Sequence, residues 1–152
     1  KSDSNFSGPT GKIIRKEKMK KLFTTSIILS SCLFADKITP EIEIAILKSI
    51  ALENKKAPMK VSDKLTFLKV AYDKSLKTQT IYYELKEDLT KYSDELKEVY
   101  LEELKDKAQD ENCSDKRIVD FYGKWEDFKL AYNYKNESFD KTVIIDFKDC
   151  NK

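Results

Sequence analysis

Cysteine, carboxylate and tyrosine are the side chains in this sequence whose types and spacing could do chemistry. The cysteines stand at 32, 113 and 150, and no histidine occurs anywhere in the 152 residues. Without imidazole there is no Ser-His-Asp or Cys-His nucleophile system, no histidine metal ligand and no histidine pH switch. Carboxylate pairs at Glu87-Asp88, Glu102-Glu103, Asp110-Glu111 and Glu126-Asp127 carry the groups that a small acid/base hydrolase would need. Each pair sits in a charge-rich stretch that reads as a solvated face, so none is singled out as catalytic. Tyr82, Tyr132 and Tyr134 could build an aromatic binding surface, although aromatics at period two more often fill a sheet core or pair across strands. Ser7-Gly8-Pro9-Thr10-Gly11-Lys12 has too few residues for a phosphate-binding loop, and Ile13 stands where its hydroxyl is needed. The expectation is a non-catalytic protein without cofactor or metal, with carboxylate hydrolysis as an alternative.

The charge is unevenly placed along the chain. Residues 1–35 carry seven Lys or Arg against two acids, which leaves 22 basic and 25 acidic residues for 36–152, a net charge of −3. A body with no basic excess has no means of neutralising a run of phosphates, so no nucleic-acid partner is expected.

Residues 19–35 have the layout of a signal peptide. Met19-Lys20-Lys21 is followed by an uncharged, mainly apolar run of 13 residues, 22–34, and then by Ala35 and the charged Asp36-Lys37. The run is shorter than the roughly 20 residues that a membrane-spanning helix needs, so no transmembrane helix is expected in the mature form. Cleavage after Ala35 is the favoured reading. The alternative takes Leu29-Ser30-Ser31-Cys32 as a lipobox, with Cys32 lipidated and the protein anchored to the outer membrane. Residues 1–18 read as an upstream extension: Arg15-Lys16-Glu17-Lys18 can be encoded by purine-only codons of the ribosome-binding type just before Met19.

Export gives the remaining cysteines a meaning. Cys113 and Cys150 form an even pair in an oxidising compartment, which reads as a disulfide. Closing the loop between them would stabilise the fold by roughly 4 kcal/mol in the chain-entropy account. Two free buried thiols are the other reading, and two cysteines without histidine make a poor zinc set.

The body, 36–152, must position these residues within a single domain. Thr39-Pro40-Glu41 starts a helix through a capping hydroxyl, a proline at the first helical position and an acid in the first turn. Ile42, Ile46, Leu47 and Ile50 form its stripe, to near Asn54. Alternation over 65–72 and 78–86 predicts a hairpin with Ile81, Tyr83 and Leu85 on one face. Leu89, Tyr92, Leu96, Val99, Tyr100 and Leu104 recur at helical spacing, to about Gln109. A short helix with Ile118, Val119, Phe121 and Tyr122 follows, with Gly123 expected to end it at positive φ. A second hairpin closes the chain, with Phe128, Leu130, Tyr132, Tyr134, Val143, Ile145 and Phe147 sharing a face. The predicted fold is α+β: an antiparallel four-stranded sheet of two hairpins with helices on one face and one disulfide. Its other face would show Thr80, Tyr82, Lys129, Ala131, Asn133, Thr142 and Ile144.

Asn54, Pro58-Met59-Lys60-Val61-Ser62-Asp63, Ile81-Tyr82-Tyr83-Glu84-Leu85, Asn112-Cys113-Ser114, Gly123, Tyr132-Asn133-Tyr134 and Asp149-Cys150 form an ordered series. This series resembles the quorum-sensing-regulated virulence factors, a family of small exported bacterial proteins. The last turn, Lys135-Asn136-Glu137-Ser138, departs from the Asp-Gly type common in that family. The resemblance implies an α+β fold with a disulfide and brings no catalytic residues. The functional expectation is a periplasmic or secreted module that binds another envelope or extracellular protein. Thiol titration of the unreduced, denatured protein cleaved after Ala35 should find no reactive thiol; two would remove the bridge.

Overall fold

The computed structural model describes residues 37–151. The expected leader, the cleavage point at Ala35, Cys32 and the 1–18 extension all lie outside the described residues. The chain runs α1 (Pro40–Asn54), β1 (Met59–Lys60), β2 (Leu65–Asp73), β3 (Thr78–Leu85), α2 (Asp94–Cys113), α3 (Lys116–Tyr122), β4 (Lys129–Asn136) and β5 (Phe139–Ile145), and ends in a 3₁₀ turn, Phe147–Asn151. No helix among the described residues is long and apolar enough to cross a membrane.

Both hairpins form where alternation places them. β2 pairs antiparallel with β3, and β4 with β5. The expected antiparallel four-stranded sheet is corrected in two ways. It has five strands, in the order β1-β2-β3-β4-β5, and its central pair, β3 with β4, is parallel. Met59–Lys60 is too short for alternation to reveal, and it exists because it can pair with Phe67 and Thr66. The parallel pair arises because α2 and α3 carry the chain back to the end of the sheet where β3 began, so β4 starts beside Thr78.

The three helices cover one face. Ile42, Ile46 and Ile50 of α1 join Leu65, Phe67, Val70, Ile81, Tyr83, Leu130, Tyr132, Tyr134, Val143 and Ile145 in one buried cluster. Ser93 caps α2 as its hydroxyl accepts from the Leu96 amide at 3.4 Å. That helix runs a full turn beyond Gln109, so Cys113 is its last residue. The expected stripe shifts as well. Leu96 and Val99 are exposed, whereas Ala108 and Asn112 are buried and Tyr100, Leu101 and Leu104 pack against the core. Leu47 of α1 is likewise exposed.

Two carboxamides tie helices to the sheet margins. Asn54, the last residue of α1, donates from Nδ2 to the Val70 carbonyl at 2.9 Å and accepts from the Val70 amide at 2.7 Å. Gln109 of α2 does the same just beyond β5: Nε2 donates to the Asp146 carbonyl at 2.6 Å and Oε1 accepts from the Asp146 amide at 3.0 Å. Asn54→Ala should lower folding stability by about 1–3 kcal/mol, because both polar groups of a buried Val70 lose their partner. A denaturant midpoint equal to that of the parent would show water replacing the amide.

Gly123 ends α3, but its φ is −71°, so the expected left-handed residue is not there. Space, not backbone conformation, calls for glycine: a Cβ would meet the Val119 carbonyl oxygen at 2.6 Å and the Phe147 Cβ at 3.4 Å. Gly123→Val should still destabilise, by about 1–3 kcal/mol, through overpacking. Gly123→Ala should show most of the same loss, since the first carbon makes the clash. An Ala variant as stable as the parent would contradict this.

Candidate functional site

The disulfide is present: Cys113 and Cys150 are bonded, with their Cα atoms 4.9 Å apart. It fixes the C-terminal 3₁₀ turn to the last residue of α2, beside Gln109, whose Nε2 also lies 3.2 Å from the Cys113 sulfur. The bridge and the Gln109–Asp146 pair therefore secure the same corner.

The three tyrosines expected to act together are divided between the two faces of the sheet. Tyr132 and Tyr134 are 6% and 1% exposed and belong to the core, which corrects their reading as a binding surface. Both stack on Tyr83, with ring centroids 6.0 and 5.7 Å away. The cause is the register: Tyr83 lies directly beside Tyr134 across the parallel pair, and every second residue of both strands points at the helices. Asn112 Nδ2 donates to the Tyr132 hydroxyl at 2.9 Å and to the Ala108 carbonyl at 2.7 Å, so α2 reaches into this cluster with a satisfied polar group.

Tyr82 alone of the three lies on the opposite face, which no helix covers. Three rows cross that face: Ala71, Thr80, Ala131 and Ile144; then Lys69, Tyr82, Asn133 and Thr142; then Thr66, Glu84, Lys135 and Asp140. The Lys69 ammonium sits 4.8 Å from the centre of the Tyr82 ring. Asn133 donates to Asp140 at 2.9 Å and to the Thr142 hydroxyl at 3.0 Å, which holds the Asp140 carboxyl below its usual range. Ile144 and Leu68 stand exposed. The face thus has one row of small and apolar residues, a polar central row that holds Tyr82, and charges along the far side, among them the Glu84–Lys86 and Lys135–Asp140 ion pairs. Thr80, Tyr82, Ala131, Asn133, Thr142 and Ile144 are where alternation placed them. The contribution of β2 was not legible, because a bulge between Phe67 and Lys69 inserts Leu68 and reverses the alternation.

The carboxylate pairs are spread over separate parts of the fold, and three of the four have a member paired with a lysine. Lys64 pairs with Glu87 at 2.9 Å, Lys105 with Glu102 at 3.2 Å, and Lys77 with Asp127.

A solved structure from Pseudomonas aeruginosa, described as a "putative secreted protein", is similar to this chain with a TM-score of 0.56 at 11% identity, over 72% of this chain and 93% of its own. The likeness is one of fold. No family model matches the sequence, and no curated protein is significantly similar to it.

The tyrosine cluster sets an alkaline limit. Burial, with the Glu111 charge adding to it against the Asn112 hydrogen bond, raises the Tyr132 hydroxyl to about 12. Tyr83 and Tyr134 are also raised, by burial first and then by Tyr132 beside them. A phenol that ionises near 10 when unfolded and near 12 when folded contributes stability that is complete below pH 10 and lost as pH rises through 12. Denaturant midpoints should therefore hold level up to about pH 10 and then fall steeply towards pH 12. Ionisation of all eight tyrosines near pH 10 without unfolding would place these hydroxyls in solvent.

Proposed function

We propose that this chain is a small exported, non-catalytic binding module that presents its helix-free sheet face to another envelope or extracellular protein. The observation that carries this reading is the uncovered face itself. In a two-layer α+β fold the helices satisfy one side of the sheet, and the other here sets a half-buried tyrosine between a row of small and apolar residues and a row of charges, a mixture that suits a protein-binding patch. Tyr82 is its aromatic anchor, with Leu68 and Ile144 as exposed apolar residues on β2 and β5. The Cys113–Cys150 bridge supports export, as does the apolar run 22–34 behind Lys20-Lys21.

The resemblance to the quorum-sensing-regulated virulence factors belongs to the same proposal. The ordered motifs alone support it; the fold shared with a "putative secreted protein" supports export and not that family.

A photo-crosslinking amino acid placed at Thr80 in producing cells tests the reading. A discrete adduct should form from Thr80, should disappear in the Tyr82→Ala/Ile144→Asp background, and should not form from Glu102 on the outer side of α2. Adducts from Glu102 alone, or from neither position, would contradict the assignment of the open face.

A further inference from the structure

α1 is apolar on two sides. Ile42, Ile46 and Ile50 fill the core, yet Ile44, Leu47 and Leu52 project from the same helix and are 52%, 52% and 60% exposed. A helix of a two-layer fold needs only one apolar stripe, and the side away from the core is ordinarily polar. Ala51, also exposed, continues the line from Ile44 and Leu47 at helical spacing.

The charges on this outer side are lopsided. Glu43 is paired with Lys74 at 2.9 Å, and Glu53 is buried against Lys56 at 3.0 Å. Glu41 lies in the first turn, where hydrogen bonds from the helix start hold its carboxyl below the usual range. Lys48 and Lys55 stand exposed between the apolar side chains, without an ion-pair partner among the described residues. Exposed leucine and isoleucine interspersed with unpaired lysine is the surface of an interfacial helix that seeks anionic headgroups.

The position of α1 in the chain agrees. The most apolar segment of the sequence, 22–34, ends six residues before Pro40. Five intervening residues reach at most about 17 Å, so whenever that segment occupies a bilayer, α1 is the first folded element at its surface.

We propose that the outer face of α1 docks on an anionic phospholipid surface, with Ile44, Leu47 and Leu52 entering the headgroup boundary and Lys48 and Lys55 facing lipid phosphates. This surface is separate from the open sheet face, and its success or failure leaves that reading untouched.

Flotation of the full chain with vesicles tests it. Vesicles of phosphatidylglycerol and phosphatidylethanolamine are compared with vesicles of phosphatidylcholine alone. The parent should float with the anionic vesicles, and Lys48→Glu/Lys55→Glu should weaken that partition about tenfold while leaving phosphatidylcholine binding unchanged. Ile44→Ser/Leu47→Ser/Leu52→Ser should weaken binding to both by a similar factor, with an unchanged melting temperature because none of these residues is in the core. If both variants float like the parent, the 22–34 segment does the binding and the proposal fails. A parent that stays with neither vesicle also overturns it. So does a parent dimer that the serine variant converts to monomer without lipid, which would make a second copy the occupant.

Discussion

Asn54 and Gln109 each set a side-chain carboxamide against backbone at a margin of the sheet, Val70 of β2 beyond the short β1 and Asp146 just past β5. The carboxamide gives that residue the two hydrogen bonds that a neighbouring strand would have supplied. Each side chain comes from the end of a helix or near it, so each pairing fixes a helix and a sheet margin at once. A sheet with exposed margins invites edge pairing, and a helix packed by hydrophobic contact alone can slide. The carboxamides limit both. They place α1 and α2 on the same face and at opposite margins of the sheet, with α3 and the C-terminal turn held beside α2 by the disulfide.

Much else follows from that arrangement. With all three helices on one side, the core must be filled from the sheet by large side chains, and the tyrosines of β3 and β4 do this as a stacked group. A second aromatic group, Phe121, Tyr122, Trp125 and Phe128, fills the space under α3. Gly123 sits where that group meets Phe147, which explains why a side chain is not tolerated there even though its backbone is ordinary. The opposite face then has no covering layer, and Thr142 and Ile144 stand exposed on it with Tyr82 half-buried beside them, although the small Ala131 is buried.

What the sequence made legible was local. The Thr39-Pro40 start, the two hairpins and the division of each strand into two faces could be read because capping and alternation act over a few residues. The parallel meeting of β3 with β4 could not, since it depends on where a long helical connection delivers the chain. Leu96 and Val99 looked like core because they share a period with Tyr100 and Leu104, but only packing decides which of two overlapping stripes is buried. For the open face, Tyr82 and Ile144 were visible from alternation, whereas Lys69 was hidden by the Leu68 bulge. Tyr132 and Tyr134 were open to a surface reading through residue type alone, although their shared face with Leu130 already pointed inward.

The central claim is that one face of the sheet is sealed and the other is open in the free protein. Hydroxyl-radical footprinting read residue by residue by mass spectrometry tests it most directly. The account predicts oxidation at Tyr82, Leu68 and Ile144 and protection of Tyr132, Tyr134 and Val143. Protection of Tyr82 and Ile144 to the level of the core, or oxidation of Tyr132 and Tyr134 in the native state, would contradict it.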